Sequence, residues 1–320
     1  AVANPKPVIS DLNPSSVTPG SGPFILTVKG ENFTRESKVV WEEAALETEF
    51  VDSTMLRVSV AAPAVSRAGV SNVRVKNPPP GGGESERRTF SFTPALLFPR
   101  LASKARASGN YDDSEYTGIA VVNLGATPAR ATFTALGNSG EPISGSGIVN
   151  PAFLEVAPLQ QIPLVDFQVF GTALQTQDGL GWFRVENPVG QVTGFFLMFN
   201  ETLSILDGVD VSSATHTEAV LPEVEEGGFT QIHIANPGAQ SAKVLVEAYG
   251  TDGRVIAAAT RELKPGASVA EKLTELFPQS AVRGSDYLRA VSDHGIVAFE
   301  YLGKAGKYVK LEETVRGFKE

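Results

Sequence analysis

The densest set of metal-type ligands in the chain is one short acidic run, Asp112-Asp113-Ser114-Glu115. Carboxylates grouped on a loop are the donors that Ca²⁺ takes, so Asp112, Asp113 and Glu115 form the candidate metal site. Arg100, Lys104 and Arg106 stand in the same stretch, and ion pairing with them is the competing use of these acids. Tyr111 and Tyr116 flank the run. Aromatic rings line many ligand sites, which makes the two tyrosines the candidate ligand-binding pair. Elsewhere the material for chemistry is thin. His216, His233 and His294 are far apart in sequence, and cysteine is absent. That excludes a thiol nucleophile, a thiolate zinc site and a disulfide framework. The sequence contains no phosphate-binding Walker loop, no His-Glu-x-x-His, no Gly-x-Ser-x-Gly and no EF-hand loop. No catalytic residue is assigned, and no cofactor beyond the candidate calcium is expected.

The acidic run must be positioned by strands. Short segments rich in Val, Ile, Phe and Thr recur at 24–28, 56–60, 70–75, 119–123, 231–235 and 243–248, with Gly, Pro, Asn and Asp between them. Such spacing predicts an all-β chain of sandwiches or barrels rather than a parallel sheet with crossover helices. Phe90 and Phe92 alternate with Ser91, so the Pro78–Gly83 tract is read as a loop inside a first domain that closes before Pro94.

Residues 1–94 carry a family resemblance. The opening Pro7-Val8-Ile9-Ser10-Asp11-Leu12-Asn13-Pro14-Ser15-Ser16 is followed by Gly20, by Ile25-Leu26-Thr27-Val28 and by Gly30-Glu31-Asn32-Phe33. Leu56-Arg57-Val58 then leads to Pro63, and Val73-Arg74-Val75-Lys76-Asn77-Pro78 follows. This segment resembles an IPT/TIG domain, which implies an immunoglobulin-like sandwich. The Trp41-Glu42-Glu43-Ala44 turn departs from the glycine-bearing turn of the family. Gly30 is expected to need a positive φ, Phe33 to plug the core, and Ile25, Leu26, Val28, Val39 and Trp41 to supply an inner face.

The remainder repeats itself. Residues 116–140 align without gaps on 229–253, with nine identities in 25 positions, among them Asn123/Asn236, Gly125/Gly238 and Gly140/Gly253. Downstream, Pro158 matches Pro265, and Trp182-Phe183-Arg184 matches Tyr287-Leu288-Arg289. The expected architecture is three consecutive β-sandwich domains: 1–94, 95–214 and 215–320. Each repeat is expected to hold one short helix. In the second, Ser268-Val269-Ala270-Glu271 reads as a capping box; in the first, the helix is placed within 161–170 with Pro163 in its first turn. These repeats resemble tandem domains of uncharacterised secreted or surface proteins of bacteria. Pro99 to Tyr116 is 17 positions and Pro222 to Phe229 is 7, so the acidic run lies in an insertion of the first repeat, and long loops on rigid scaffolds often bind.

Charge narrows the partners. The net charge is −9 over 320 residues. The segment 95–214 has five basic against eleven acidic residues, which disfavours nucleic acid and anionic membranes as partners. No stretch has the apolar length of a membrane-spanning helix. The opening Ala1-Val2-Ala3 fits either a processed export signal or a trimmed chain. Together these features imply a non-catalytic protein, secreted, periplasmic or on the cell surface, with a structural, adhesion or recognition role toward a protein or glycan of the envelope. The alternative is a carbohydrate-binding module. An exposed row of aromatics would favour it, with Trp182, Phe195, Phe196, Phe199, Tyr249, Tyr287, Phe299 and Tyr301 as the rings to place.

Overall fold

A computed structural model of the protein describes residues 3–17, 23–61, 69–92, 95–104, 114–176, 179–187, 192–204, 206–278, 282–284, 286–304 and 308–313. The chain is all-β and divides into two compact units, Ala1–Thr93 and Pro94–Glu320. Among the described residues no helix is long and apolar enough to cross a membrane.

Among its described residues the first unit has ten strands: β1 (Val8–Asn13), β2 (Ser16–Val17), β3 (Phe24–Glu31), β4 (Lys38–Trp41), β5 (Ala44–Ala45), β6 (Thr48–Asp52), β7 (Met55–Val60), β8 (Gly69–Asn77), β9 (Gly83–Glu84) and β10 (Arg88–Phe92). They form two sheets, β1-β3-β7-β6 and β2-β10-β8-β4-β5, with β9 also paired to β8. Alternation sets the inner face: Phe24, Leu26 and Val28 point inward from β3, while Ile25 is exposed. This corrects the expected inner set. Val39 and Trp41 are buried, but they come from the facing sheet. Trp41 packs with Phe24, Phe90 and Phe92 at centroid distances of 5.1–6.3 Å, and Phe33 is buried in the same core. The role expected of Gly30 is also different. Asn32, not Gly30, takes the positive φ, at 64°. Gly30 is required by close approach, because a Cβ there would lie 1.9 Å from the Val8 carbonyl oxygen. At the departing turn, Glu42 itself adopts φ 53°. Its backbone N–H donates to the Asn72 carbonyl at 2.8 Å, and its carboxylate accepts the Asn72 N–H at 2.8 Å.

The second unit begins with β11 (Ala95–Ser103), β12 (Tyr116–Asn123), β13 (Ala129–Gly137), β14 (Ala152–Val156), β15 (Gln161–Val165), α1 (Asp166–Phe170), α2 (Ala173–Thr176), β16 (Gly179–Glu186), β17 (Val192–Phe199) and β18 (Leu206–Asp210). It continues with β19 (His216–Leu221), β20 (Phe229–Ala235), β21 (Ala242–Tyr249), β22 (Val255–Leu263), β23 (Ser268–Lys272), α3 (Leu273–Leu276), β24 (Tyr287–Lys304) and β25 (Tyr308–Glu313). The first copy has sheets β11-β16-β13-β14 and β15-β12-β17-β18. The second has the same order, β19-β24-β21-β22 and β23-β20-β24-β25, because the 18-residue β24 pairs into one sheet with its first half and into the other with its second.

The repeated asparagine explains why the copies look alike in sequence. Asn123 Nδ2 donates to the carbonyls of Thr127 and Val156, and its Oδ1 accepts the Gly125 N–H, at 2.8–2.9 Å. Asn236 makes the same set with Gln240, Leu263 and Gly238, at 2.7–2.9 Å, and its Nδ2 also reaches the Lys264 carbonyl at 3.2 Å. Each amide closes a turn and ties it to the neighbouring edge strand. The helices start later than the sequence pattern indicates. Ser268 to Lys272 is strand β23, and Pro163 lies inside edge strand β15, where a missing N–H is tolerated. The true caps are Gln168, whose Oε1 accepts from Val165 N–H, and Glu275, which accepts from Lys272 N–H, both at 2.9 Å. The first copy also has a second short helix, α2.

Within this unit the two copies share a buried junction of Ala95, Leu97, Leu136, Trp182, Ala235 and Val297. Trp182 is fully buried there, and its indole N–H donates to the Gly266 carbonyl at 2.7 Å. Phe299 of the second copy enters the core of the first and meets Phe196 edge-on at 5.6 Å.

Candidate functional site

Strand β11 does not run evenly. Its pairing with β16 slips between Phe98 and Leu101, which leaves Pro99 and Arg100 as an extra step on an edge strand. A bulge of this kind re-aims a side chain, and the one it re-aims is Arg100. The guanidinium is buried and forms an ion pair with Glu115, which immediately precedes β12. It also lies over the Tyr301 ring of β24, 5.1 Å from the centroid. Burial lowers the Arg100 pKa to about 10, so the group stays charged near neutrality. Among the described residues its Nε has no hydrogen-bond acceptor.

Strand β20 supplies the opposite wall. His233 is buried, stacks on Phe299 at 4.7 Å and bonds Gln231 Oε1 through Nε2 at 3.1 Å. Burial, followed by the charge of Arg100, holds its pKa well below the usual imidazole range, so His233 is neutral. Burial pushes the Tyr301 phenol up, with Arg100 opposing. At the rim, Asn138 accepts from Ser268 twice, side chain to side chain at 2.9 Å and at its carbonyl from the Ser268 N–H at 3.1 Å. These groups enclose a cavity of about 270 Å³ between the two copies. A charged donor balanced by one carboxylate, a neutral imidazole, a phenol and side-chain amides form a lining built for hydrogen bonding to a small polar molecule.

Of the residues singled out in the sequence, Glu115 is at this cavity and is engaged by Arg100. Tyr116 is half-buried on the outer face of its sheet, 6.0 Å from Phe167 and 5.5 Å from Phe199. Tyr111, Asp112, Asp113 and Arg106 lie outside the described residues. Among the described residues no group of three His, Asp or Glu side chains is placed to hold a metal ion. Trp182, Phe196 and Phe299 are buried, Tyr249 and Tyr287 stack on each other at 5.2 Å, and Phe195 and Phe199 are half-buried. The sequence reading missed Gln231, His233, Tyr301, Asn138 and Ser268 as one constellation. The repeat carried a signal for two of them: at equivalent register His233 replaces Ala120 and Tyr301 replaces Leu197.

Away from the cavity, the buried acid Asp166 is structural. Asp166, the first residue of α1, accepts from the Ser103 hydroxyl at 2.9 Å, the Thr117 N–H at 2.7 Å and the Phe167 N–H at 2.5 Å. Burial pushes its pKa up to about 6 against those bonds.

The IPT/TIG domain model matches residues 7–92. The chain therefore opens with an immunoglobulin-like IPT/TIG domain. No curated protein matches the chain. Among solved structures it is similar to an auxiliary nutrient binding protein from Bacteroides thetaiotaomicron, with 13% identity, a TM-score of 0.22, and coverage of 61% of this chain and 43% of that one. It is also similar to a 1.5-MDa bacterial ice-binding adhesin, with 12% identity, a TM-score of 0.22, and coverage of 97% and 96%. A third is the SGBP-B protein of a Bacteroides ovatus mixed-linkage glucan utilization locus, solved with a mixed-linkage heptasaccharide, with 12% identity, a TM-score of 0.23, and coverage of 94% and 75%. The chain thus spans less than half the length of the first of these. At such scores the similarities carry no argument about function.

Proposed function

We propose that the protein is a non-catalytic recognition protein of the cell exterior or envelope, built as an IPT/TIG domain followed by two sandwich repeats divided near residue 215. The observation that carries this reading is the use made of three buried ionisable groups, Arg100, Asp166 and His233. Arg100 holds Glu115 and covers Tyr301, Asp166 takes three hydrogen bonds from its scaffold, and His233 is bonded to Gln231 and stacked on Phe299. These are holding roles. A neutral, desolvated imidazole bonded to an amide is a poor general base. The partner is a protein or a glycan, met by loops at the sandwich ends or by strand faces.

A second reading is carbohydrate binding, and the cavity favours it. Arg100, Gln231, His233, Tyr301 and Asn138 offer planar polar groups and an aromatic ring to a hydroxyl-rich ligand. The test is a glycan array probed with the purified chain, in calcium and in chelator, alongside Arg100→Met. Glycan binding that Arg100→Met abolishes selects the cavity. Binding that needs calcium selects Asp112, Asp113 and Glu115. Absence of binding in both conditions leaves a protein partner. Release of reducing sugar from the arrayed glycans overturns the non-catalytic reading.

A further inference from the structure

The two copies in the second unit use equivalent surfaces differently. In the second copy, the outer face of the β23-β20-β24-β25 sheet is covered. Ala235 and Val297 sit in the shared junction, Phe299 enters the core of the first copy, and Tyr301 packs beside it. Strand register gives the counterparts in the first copy: Val122 for Ala235, Thr193 for Val297, Phe195 for Phe299 and Leu197 for Tyr301. That face is apolar too, yet Phe195 and Val122 are only half-buried where Phe299 and Ala235 are buried, and Leu197, like Tyr301, is half-buried. Leu159, which stands where Gly266 receives the Trp182 hydrogen bond, is 77% exposed, and neighbouring Leu124 is 64% exposed. Leu124 and Leu159 lie in the turns that end β12 and begin β15, so exposed aliphatic groups border this sheet face, and such apolar patches mark an interaction surface.

The surface that covers this kind of face also occurs twice. In the first copy it is an end made of Leu136, Trp182 and the Gly140 turn, pressed against the second copy so closely that a Cβ on Gly140 would lie 2.5 Å from the Pro265 carbonyl oxygen. In the second copy the equivalent end carries Tyr249, Tyr287 and Gly253. The two tyrosines are half-buried, and a Cβ on Gly253 would meet nothing within 4 Å. Among the described residues, one half of the junction is therefore open on the first copy and the other half on the second. We propose that the chain associates head to tail with a second copy of itself, the Tyr249–Tyr287 end of one molecule seating on the Phe195–Leu197 face of the next. The occupant is argued from the junction within the chain, which already joins this end to this face once. The contact is heterologous, so it does not close at a dimer.

Sedimentation velocity over a rising concentration series tests this. The expected result is a weight-average sedimentation coefficient that climbs past the dimer value. Phe195→Glu removes the face and Tyr287→Glu removes the end; each variant alone is expected to stay monomeric. An equimolar mixture is expected to form a dimer and stop there, because one face and one end remain intact between them. That mixture also shows that both variants are folded. A wild-type chain that is monomeric at every concentration overturns the proposal and leaves the face to a partner of another kind. So does a mixture that gives no dimer, or a Phe195→Glu chain that still polymerises.

Discussion

The two repeats answer the same backbone problem with the same residues and their junction with different ones. Asn123 and Asn236 close equivalent turns with equivalent bonds, so both copies use the same residue there. Leu136 and Trp182 of the first copy are buried against the second, whereas Tyr249 and Tyr287 at equivalent register are half-buried. The difference teaches that identity between copies tracks local geometry, while substitutions between copies track which surface is covered.

Paired substitutions sharpen this comparison. Trp182→Ala removes a fully buried indole and its bond to Gly266, and is expected to cost the second unit about 3–5 kcal/mol. Tyr287→Ala is expected to cost about 1 kcal/mol. Urea denaturation of both variants checks the gap, and equal costs would break the comparison. Gly140→Ala is expected to cost about 3 kcal/mol, from its φ of 92° and the crowding by Pro265 together. Gly253→Ala keeps only the strain of φ 76°, about 1–2 kcal/mol.

Asp166 separates the copies by pH. Its counterpart after Pro265 is Leu273, which cannot ionise. The folded pKa of Asp166, about 6, lies above the unfolded value. The folded state therefore keeps the proton that the unfolded chain releases. Stability from this group is full below the unfolded pKa, falls as pH rises toward 6, and is then level, a total of about 3 kcal/mol. Asp166→Asn is expected to remove that slope in urea titrations from pH 3.5 to 7. A slope unchanged in the variant would assign it elsewhere. The smallest expected contrast is the asparagine pair. Asn123→Ala and Asn236→Ala each strip the partner from one buried carbonyl, of Val156 or Leu263, and from a half-buried N–H, for about 2 kcal/mol apiece. A large inequality would mean that the shared turn is not doing the same job twice.

What the sequence revealed follows from the range of each interaction. The Asn-x-Gly-Ala turn is local, so its residues recur and can be aligned. The closing strand of the N-terminal sandwich was readable because alternation in β10 reports burial directly, whereas in β3 the apolar Ile25 masked the alternation and turned out to face solvent. Helix starts were misplaced because Ser268 and Pro163 carry helix-start chemistry while their backbones pair as strands with β20 and β12. The cavity was not legible. Arg100, Glu115, His233 and Tyr301 come from four segments spread over about 200 residues, and only a bulge in β11 turns Arg100 toward the others.

Strand β24 has a mechanical consequence. In the first copy the two sheets are served by separate strands, β16 and β17, so tension along the chain can open either sheet before loading the other. In the second copy a single 18-residue strand belongs to both sheets. A pull on either end of it loads both ladders in series along one rigid span, and the sandwich must yield as a whole. Under an optical trap the second repeat should rupture in one step and at higher force than the first.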